Sequence, residues 1–287
     1  MKREVREAIS RHEEAGARFA AAGVGSFALD QGDGDPVVLV HGVPVSSFVY
    51  RRLVPELAAR GLRAVAFDLP GLGLAERPEE FDYSWSGLAG WTGSAIDALG
   101  IERCHLVVHD IGGPIGLQWA IEHPERVLSL TALNTLIDVA SFHRPWPMHP
   151  FSIRGVGELW LRSMAPPLFA EVYYGVGIAD RDAVPRAEVL AHHALLRRED
   201  GGRAFLRIMR GFELNEDRER FLFDGLAGRA YPAQVLWGER DRMLGERRRR
   251  AAQRALGVEQ PTLLPARHFV QEDQAAAVAA AVAALAA

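Results

Sequence analysis

Four short apolar runs limit this chain to very few architectures. They are "PVVLV" (36–40), "LRAVAFD" (62–68), "RCHLVVHD" (103–110) and "VLSLTALN" (127–134). Between them lie stretches with helical periodicity: "FVYRRLVPELAARG", "SGLAGWTGSAIDALG" and "GGPIGLQWAIEHP". A strand that is apolar on both sides must be covered on both. Helices returning the chain between parallel strands supply that cover. The alternation stops after Asn134 and resumes at "AQVLWGERD" (233–241), then runs through "RRRRAAQRALG" as helix and "PTLLPARHF" (261–269) as a short strand and loop. The alanine-rich end reads as a last helix packed on the sheet. The chain opens with a polar amphipathic helix over "MKREVREAISRHEEAGARFAAAG", and two strands around a Gly/Asp turn follow. The expected architecture is therefore α/β: a mostly parallel sheet, helices on both faces, and an inserted helical cap. Residues 1–135 plus 231–287 form the main domain, and 136–230, proline-marked and without a convincing strand, form the cap. A chain of 287 residues is long enough to bury such a core.

Composition narrows the partners. The formal net charge of −4 gives no reason to expect nucleic acid or an anionic membrane surface. Cys104 is the only cysteine, so no internal disulfide forms and no oxidising compartment is implied. The first helix lacks the apolar core of a signal peptide, and no apolar run is long enough to span a bilayer. A cytoplasmic protein is expected, with a homodimer allowed. No "HExxH" or cysteine cluster calls for a metal. "GLGLAE" places Glu76 where a dinucleotide fingerprint would need its third glycine. No cofactor is expected.

Reactive groups on an open parallel sheet collect at the carboxyl ends of strands. Four such ends here carry His41-Gly42-Val43-Pro44, Asp110-Ile111-Gly112-Gly113, Asp241 and His268. Asp110 alone reads equally well as an N-cap of the following helix. Asp241 alone could cap a turn, and His268 alone could be a packed histidine. Together, in the chain order nucleophile, acid, histidine, they favour a catalytic set. His41 reads as a structural hydrogen-bonding residue.

In "HGVP", "FDLPGLGLAERP", "VVHDIGG", "LWGERDRMLG" and "ARHFVQED" the chain resembles the aspartate-nucleophile branch of the α/β-hydrolases, which holds epoxide hydrolases and haloalkane dehalogenases. The resemblance fades in the insertion, and Val108 stands where serine hydrolases usually carry glycine. It implies that Asp110 is a nucleophile at a strained turn, with Gly112, Gly113 and Gly116 keeping the next helix close. A carboxylate is ionised at neutral pH and can displace a leaving group from saturated carbon, forming an alkyl ester. His268, oriented by Asp241, would activate water to release it, with the N–H groups of Val43 and Ile111 holding the oxyanion. The position after an earlier strand where some dehalogenases place the acid is Asn134, which cannot ionise. Pro44 follows a cis peptide in related loops.

The leaving group separates the two activities. A halide needs N–H donors, typically a tryptophan after the nucleophile, here Ile111, and a second donor that is either an asparagine in the "HGN" loop, here Val43, or a cap tryptophan. Trp146 and Trp160 lie in the insertion, and neither matches that cap tryptophan. An opening epoxide needs a proton, usually from cap tyrosines, and "FAEVYYGVG" offers Tyr173 and Tyr174. The usual second tyrosine is absent, and His192 or His193 could stand in. The expectation is an epoxide hydrolase acting on a small apolar epoxide and water, with dehalogenation as runner-up. An esterase, or a binder without turnover, comes further behind.

Overall fold

The computed structural model describes all 287 residues. Its eight strands are β1 (Gly16–Ala21), β2 (Val24–Gln31), β3 (Pro36–Val40), β4 (Arg63–Phe67), β5 (Cys104–Asp110), β6 (Val127–Thr135), β7 (Ala233–Gly238) and β8 (Thr262–Leu264). They form one sheet in the order β1-β2-β4-β3-β5-β6-β7-β8. β1, β2 and β4 pair antiparallel, and β4 through β8 pair parallel. Val37 to Val40 are wholly buried, as continuous apolar runs in a doubly covered sheet must be. One group of helices, α3 (Trp85–Ala98), α4 (Gly112–Glu122), α9 (Glu216–Ala227) and α10 (Glu246–Leu256), packs side by side. A second group, α2 (Leu53–Ala58) and α12 (Ala275–Ala286), covers the rest of the sheet.

Two boundaries differ from expectation. The first helix, α1 (Lys2–Glu14), ends early, and "GARFAA" becomes β1. Ala22 and Gly23 both take positive φ, a two-residue hairpin turn that matches strand twist. The turn pairs Arg18 with Phe27 across the ladder, and Phe19 meets Trp91 at 6.2 Å. Pairing with β2 overrides the helical pattern. At the other boundary, the insertion between β6 and β7 contains α5 (Val156–Ser163), α6 (Pro166–Gly177), α7 (Arg186–Leu196), α8 (Arg203–Arg210) and α9. The last of these sits on the main body. Arg218 donates to Gln118 Oε1 at 2.6 Å, and a Cβ at Gly225 would meet Ile121 at 2.5 Å. The cap over the sheet thus ends ahead of α9, short of residue 230.

The cap is clamped down by buried ions. Arg51 donates to both oxygens of Glu272, at 2.9 and 2.8 Å, and Arg52 reaches Glu188 of α7 at 2.7 Å. His192, also on α7, lies 2.8 Å from Glu272 Oε1. Glu272 belongs to the short helix α11 (Val270–Asp273), and its side chain is 0% exposed. Burial alone would raise its pKa, but Arg51 and His192 hold the carboxyl well below the usual range. A depressed carboxyl stabilises the fold above its unfolded value of 4.5 and loses that contribution as pH falls. Glu272→Gln would leave Arg51 undercompensated and should cost about 3 kcal/mol in urea unfolding at pH 7. The difference from the unsubstituted protein should shrink as the pH is lowered below 4.5.

Candidate active site

β5 delivers Asp110 to a sharp turn, where its φ is 53°, a conformation costly for a residue with a side chain. The neighbours make the turn achievable. Thr135 Oγ1 donates to the Asp110 carbonyl at 2.6 Å. A Cβ on Gly112 would strike the Val40 carbonyl, and one on Gly42 would strike the Asp110 carboxylate itself. Only glycine lets these two backbones come so close.

The carboxylate at this turn meets two donors. Val43 N–H donates to Oδ1 at 2.9 Å, and His268 Nε2 lies 3.5 Å from Oδ2. The Ile111 N–H has no acceptor within the protein. Val43 precedes a cis Pro44. On the far side of the imidazole, His268 Nδ1 lies 3.0 Å from Asp241 Oδ2. The three strand ends thus converge on one histidine.

The two carboxylates are held very differently. Asp241 Oδ1 accepts from the N–H groups of Met243 (2.7 Å) and Leu244 (3.0 Å), and Oδ2 accepts from Asn134 Nδ2 at 2.6 Å besides His268. Asp110 has only Val43 and His268. The saturated carboxylate is suited to orienting a histidine. The less saturated one, which borders a cavity, keeps oxygen lone pairs for a substrate.

Burial pushes both acids up, yet the His268 charge outweighs it and leaves each below the ordinary carboxylate range. His268 itself is pushed down by burial and up by Asp241 and Asp110, and it ends at about 10. The resting site is therefore an imidazolium between two carboxylates. Esterifying Asp110 would remove one of those anions, so the His268 pKa would fall and the ring could act as a base.

The cavity beside Asp110 is lined by 26 residues, 19 of them hydrophobic, so few groups can do polar chemistry there. Besides Asp110 and His268 the polar lining residues are Arg144, His193 and Tyr173. Tyr173 borders the cavity, but its hydroxyl donates to Glu272 at 3.3 Å. Tyr174 does not line the cavity; its hydroxyl donates to the Val184 carbonyl at 2.7 Å, which removes it as a proton donor to a substrate there. His192 faces Glu272 instead, and His193 lines the cavity with Nε2 held by the Met164 carbonyl at 3.0 Å. Trp146 is 74% exposed and Trp160 donates to the Pro147 carbonyl, and neither lines the cavity. His41 accepts from Leu69 N–H and contacts the Gly42 carbonyl, a structural placement. No group of three or more His, Cys, Asp or Glu side chains could hold a metal ion, and no helix is long and apolar enough to cross a membrane.

A family model described as alpha/beta hydrolase fold matches residues 35–154. A haloalkane dehalogenase of Mycobacterium marinum is 30% identical over 260 residues, 85% of this chain and 83% of that enzyme. This chain belongs to the α/β-hydrolase superfamily, in its aspartate-nucleophile branch. It is also similar to a haloalkane dehalogenase of Psychrobacter cryohalolentis, 37% identical over 126 residues, covering 41% of this chain and 42% of that one. Among solved structures, a putative ancestral haloalkane dehalogenase superposes with a TM-score of 0.77 at 21% identity, over 94% of this chain and 99% of that one. An epoxide hydrolase from Vigna radiata gives 0.76 at 20%, over 94% and 97%. At such identities these two share the fold. The protein is a hydrolase of this superfamily.

Two further residues shape the candidate site: Asn134, noted in the sequence only as an acid position that cannot ionise, and His109, given no role there. Asn134, with φ of 38°, binds Asp241 through Nδ2 and accepts from Gly238 N–H at 2.9 Å through Oδ1. His109 lies 3.0 Å from the His268 carbonyl; burial lowers its pKa to about 4, so it is a neutral N–H donor that steadies the loop. A polar residue inside an otherwise apolar strand was the available signal for both. Asn134→Ala should lower kcat about tenfold with KM nearly unchanged, as expected for loss of one hydrogen bond to a buried carboxylate. Steady-state kinetics on any turned-over substrate would check it.

Proposed function

We propose that this hydrolase opens epoxides to vicinal diols through a covalent ester on Asp110. The observation that carries this is the Asp110 carboxylate itself: ionised, incompletely hydrogen-bonded, and presented at a strained turn to an apolar cavity. One carboxylate oxygen attacks an epoxide carbon, the C–O bond breaks, and its electron pair stays on the ring oxygen. Tyr173 protonates that oxygen. In the resting site its hydroxyl donates to Glu272 at 3.3 Å, a long contact, and the hydrogen must turn to the ring oxygen. Burial and the Glu272 charge keep the phenol fully protonated at neutral pH but also make it a weak acid, matched only to a strongly basic alkoxide. The phenol regains a proton from solvent.

The ester then hydrolyses. With the Asp110 charge gone, His268 loses its extra proton and accepts another from water as that water attacks the ester carbonyl. Asp241 stabilises the imidazolium that forms. The N–H groups of Val43 and Ile111 hold the oxyanion. Collapse releases the diol, which takes the histidine proton. The second proton of the water then passes from the Asp110 carboxyl to His268, restoring the imidazolium and a carboxylate that carries one oxygen from water.

Dehalogenation by the same two steps is the second reading, favoured by the likeness to the Mycobacterium marinum enzyme. Against it, the cavity lining has no tryptophan or asparagine to receive a halide. Styrene oxide and 1-bromobutane separate the two: diol without bromide release is expected, and bromide release alone would reverse the order. Hydrolysis of nitrophenyl esters only would mark an esterase. Tyr173→Phe should slow epoxide turnover about a hundredfold, the scale of one general acid.

His268→Gln should trap the ester, seen as an added substrate mass on the intact protein, and Asp110→Asn should show neither adduct nor turnover. An unmodified His268→Gln protein, mixed with a proven substrate, would contradict the scheme. Single-turnover ester hydrolysis should follow an apparent pKa well below the 10 of resting His268, because the esterified Asp110 no longer supports the imidazolium.

A further inference from the structure

Arg144 is the only arginine or lysine on the wall of the reaction cavity. Its guanidinium lies 4.6 Å from the centre of the Phe212 ring, and Nη2 donates to the Met209 carbonyl at 2.8 Å. Nη1 has no acceptor in the protein, and Nε is buried without one. No carboxylate pairs with it. Burial lowers its pKa, with no neighbouring charge to offset the loss of solvation. Arg51, Arg77 and Arg248 are matched by acids, Glu272, Asp200 and Asp138. Arg218 and Arg229 lack an acid too, but each has carbonyl or amide acceptors on its guanidinium and neither lines this cavity. Buried donors left unmade are uncommon and costly.

We propose that Arg144 receives a carboxylate on the substrate, so that the molecule turned over is an amphiphilic acid: a reactive carbon at one end, an apolar body, and an anionic head at the other. Phe212 and Met209, which fix the guanidinium, line the same cavity as Asp110, and apolar side chains such as Phe151 and Phe205 occupy the wall with them. The charge on Asp110 repels an anionic head, and Arg144 attracts it, so the two together set the direction in which a substrate lies. A carboxylate in an apolar cavity needs a partner of this kind, and a planar guanidinium matches its geometry. The epoxide reading supplies only the name of the reacting group; the anion site stands on Arg144.

Calorimetric titration of 4-phenylbutyrate and of the neutral 4-phenylbutan-1-ol tests the site without turnover. The acid should bind the unsubstituted protein about tenfold or more tightly than the alcohol, the scale of a charge-assisted hydrogen bond. Arg144→Gln should erase that ratio while leaving alcohol binding in place, and Arg144→Lys should keep part of it. Equal binding of acid and alcohol by the unsubstituted protein, no saturable acid binding, or an unchanged ratio in Arg144→Gln would overturn the proposal. Should Arg144→Gln fail to fold, the acid-to-alcohol ratio of the unsubstituted protein and of Arg144→Lys decides. In turnover, 4-oxiranylbenzoate should exceed its methyl ester in kcat/KM by a similar factor. If the acid binds selectively but neither epoxide is opened, the epoxide reading fails and the anion site survives.

Discussion

A single buried imidazolium between two carboxylates organises this protein. Three charges of net −1 inside an apolar body are tolerable only if each is paired and hydrogen-bonded. The fold meets that demand by ending three strands of one sheet at the same spot. β5 brings Asp110, the loop after β7 brings Asp241, and the loop after β8 brings His268. The order of those strands in the sheet, β5-β6-β7-β8, also explains why Asn134 joins them, since β6 runs between the strands that carry Asp110 and lead to Asp241.

The division of labour between the acids follows from how many donors each receives. Asp241 is surrounded by two backbone N–H groups, an asparagine and the histidine. Asp110 has one N–H and a longer contact to the same ring. Chemical identity does not separate the two residues. Their surroundings do: one carboxylate is fixed for good, and the other keeps an unfilled side facing the cavity.

The alternating architecture and the converging strand ends were legible because each is a local pattern: an apolar run, a glycine-marked turn, a polar residue at the boundary. What a side chain does across the cavity is set by distant partners and left no such mark. Tyr173 and Tyr174 are adjacent in sequence, yet one borders the cavity and the other binds Val184, because a helix points successive residues apart by about 100°. The placement of α9 on the main body depended on Ile121 and Gln118, a hundred residues away. The strand at Gly16–Ala21 was hidden inside a helical pattern until β2 was there to pair with it. Arg144 stood in a proline-rich stretch that read only as insertion.

The segment that carries His268 is also stitched to the cap. Phe269 N–H donates to the Gly177 carbonyl at 3.0 Å, Arg267 to the carbonyls of Tyr174 and Gly175, and Asp273 accepts from the N–H of Ala179. Lifting the lid as one rigid piece would pull on the very loop that holds His268. Entry past adaptable wall groups, such as the methionines at 148, 164, 209 and 243, leaves that stitching intact, whereas a rigid lift of the lid breaks it.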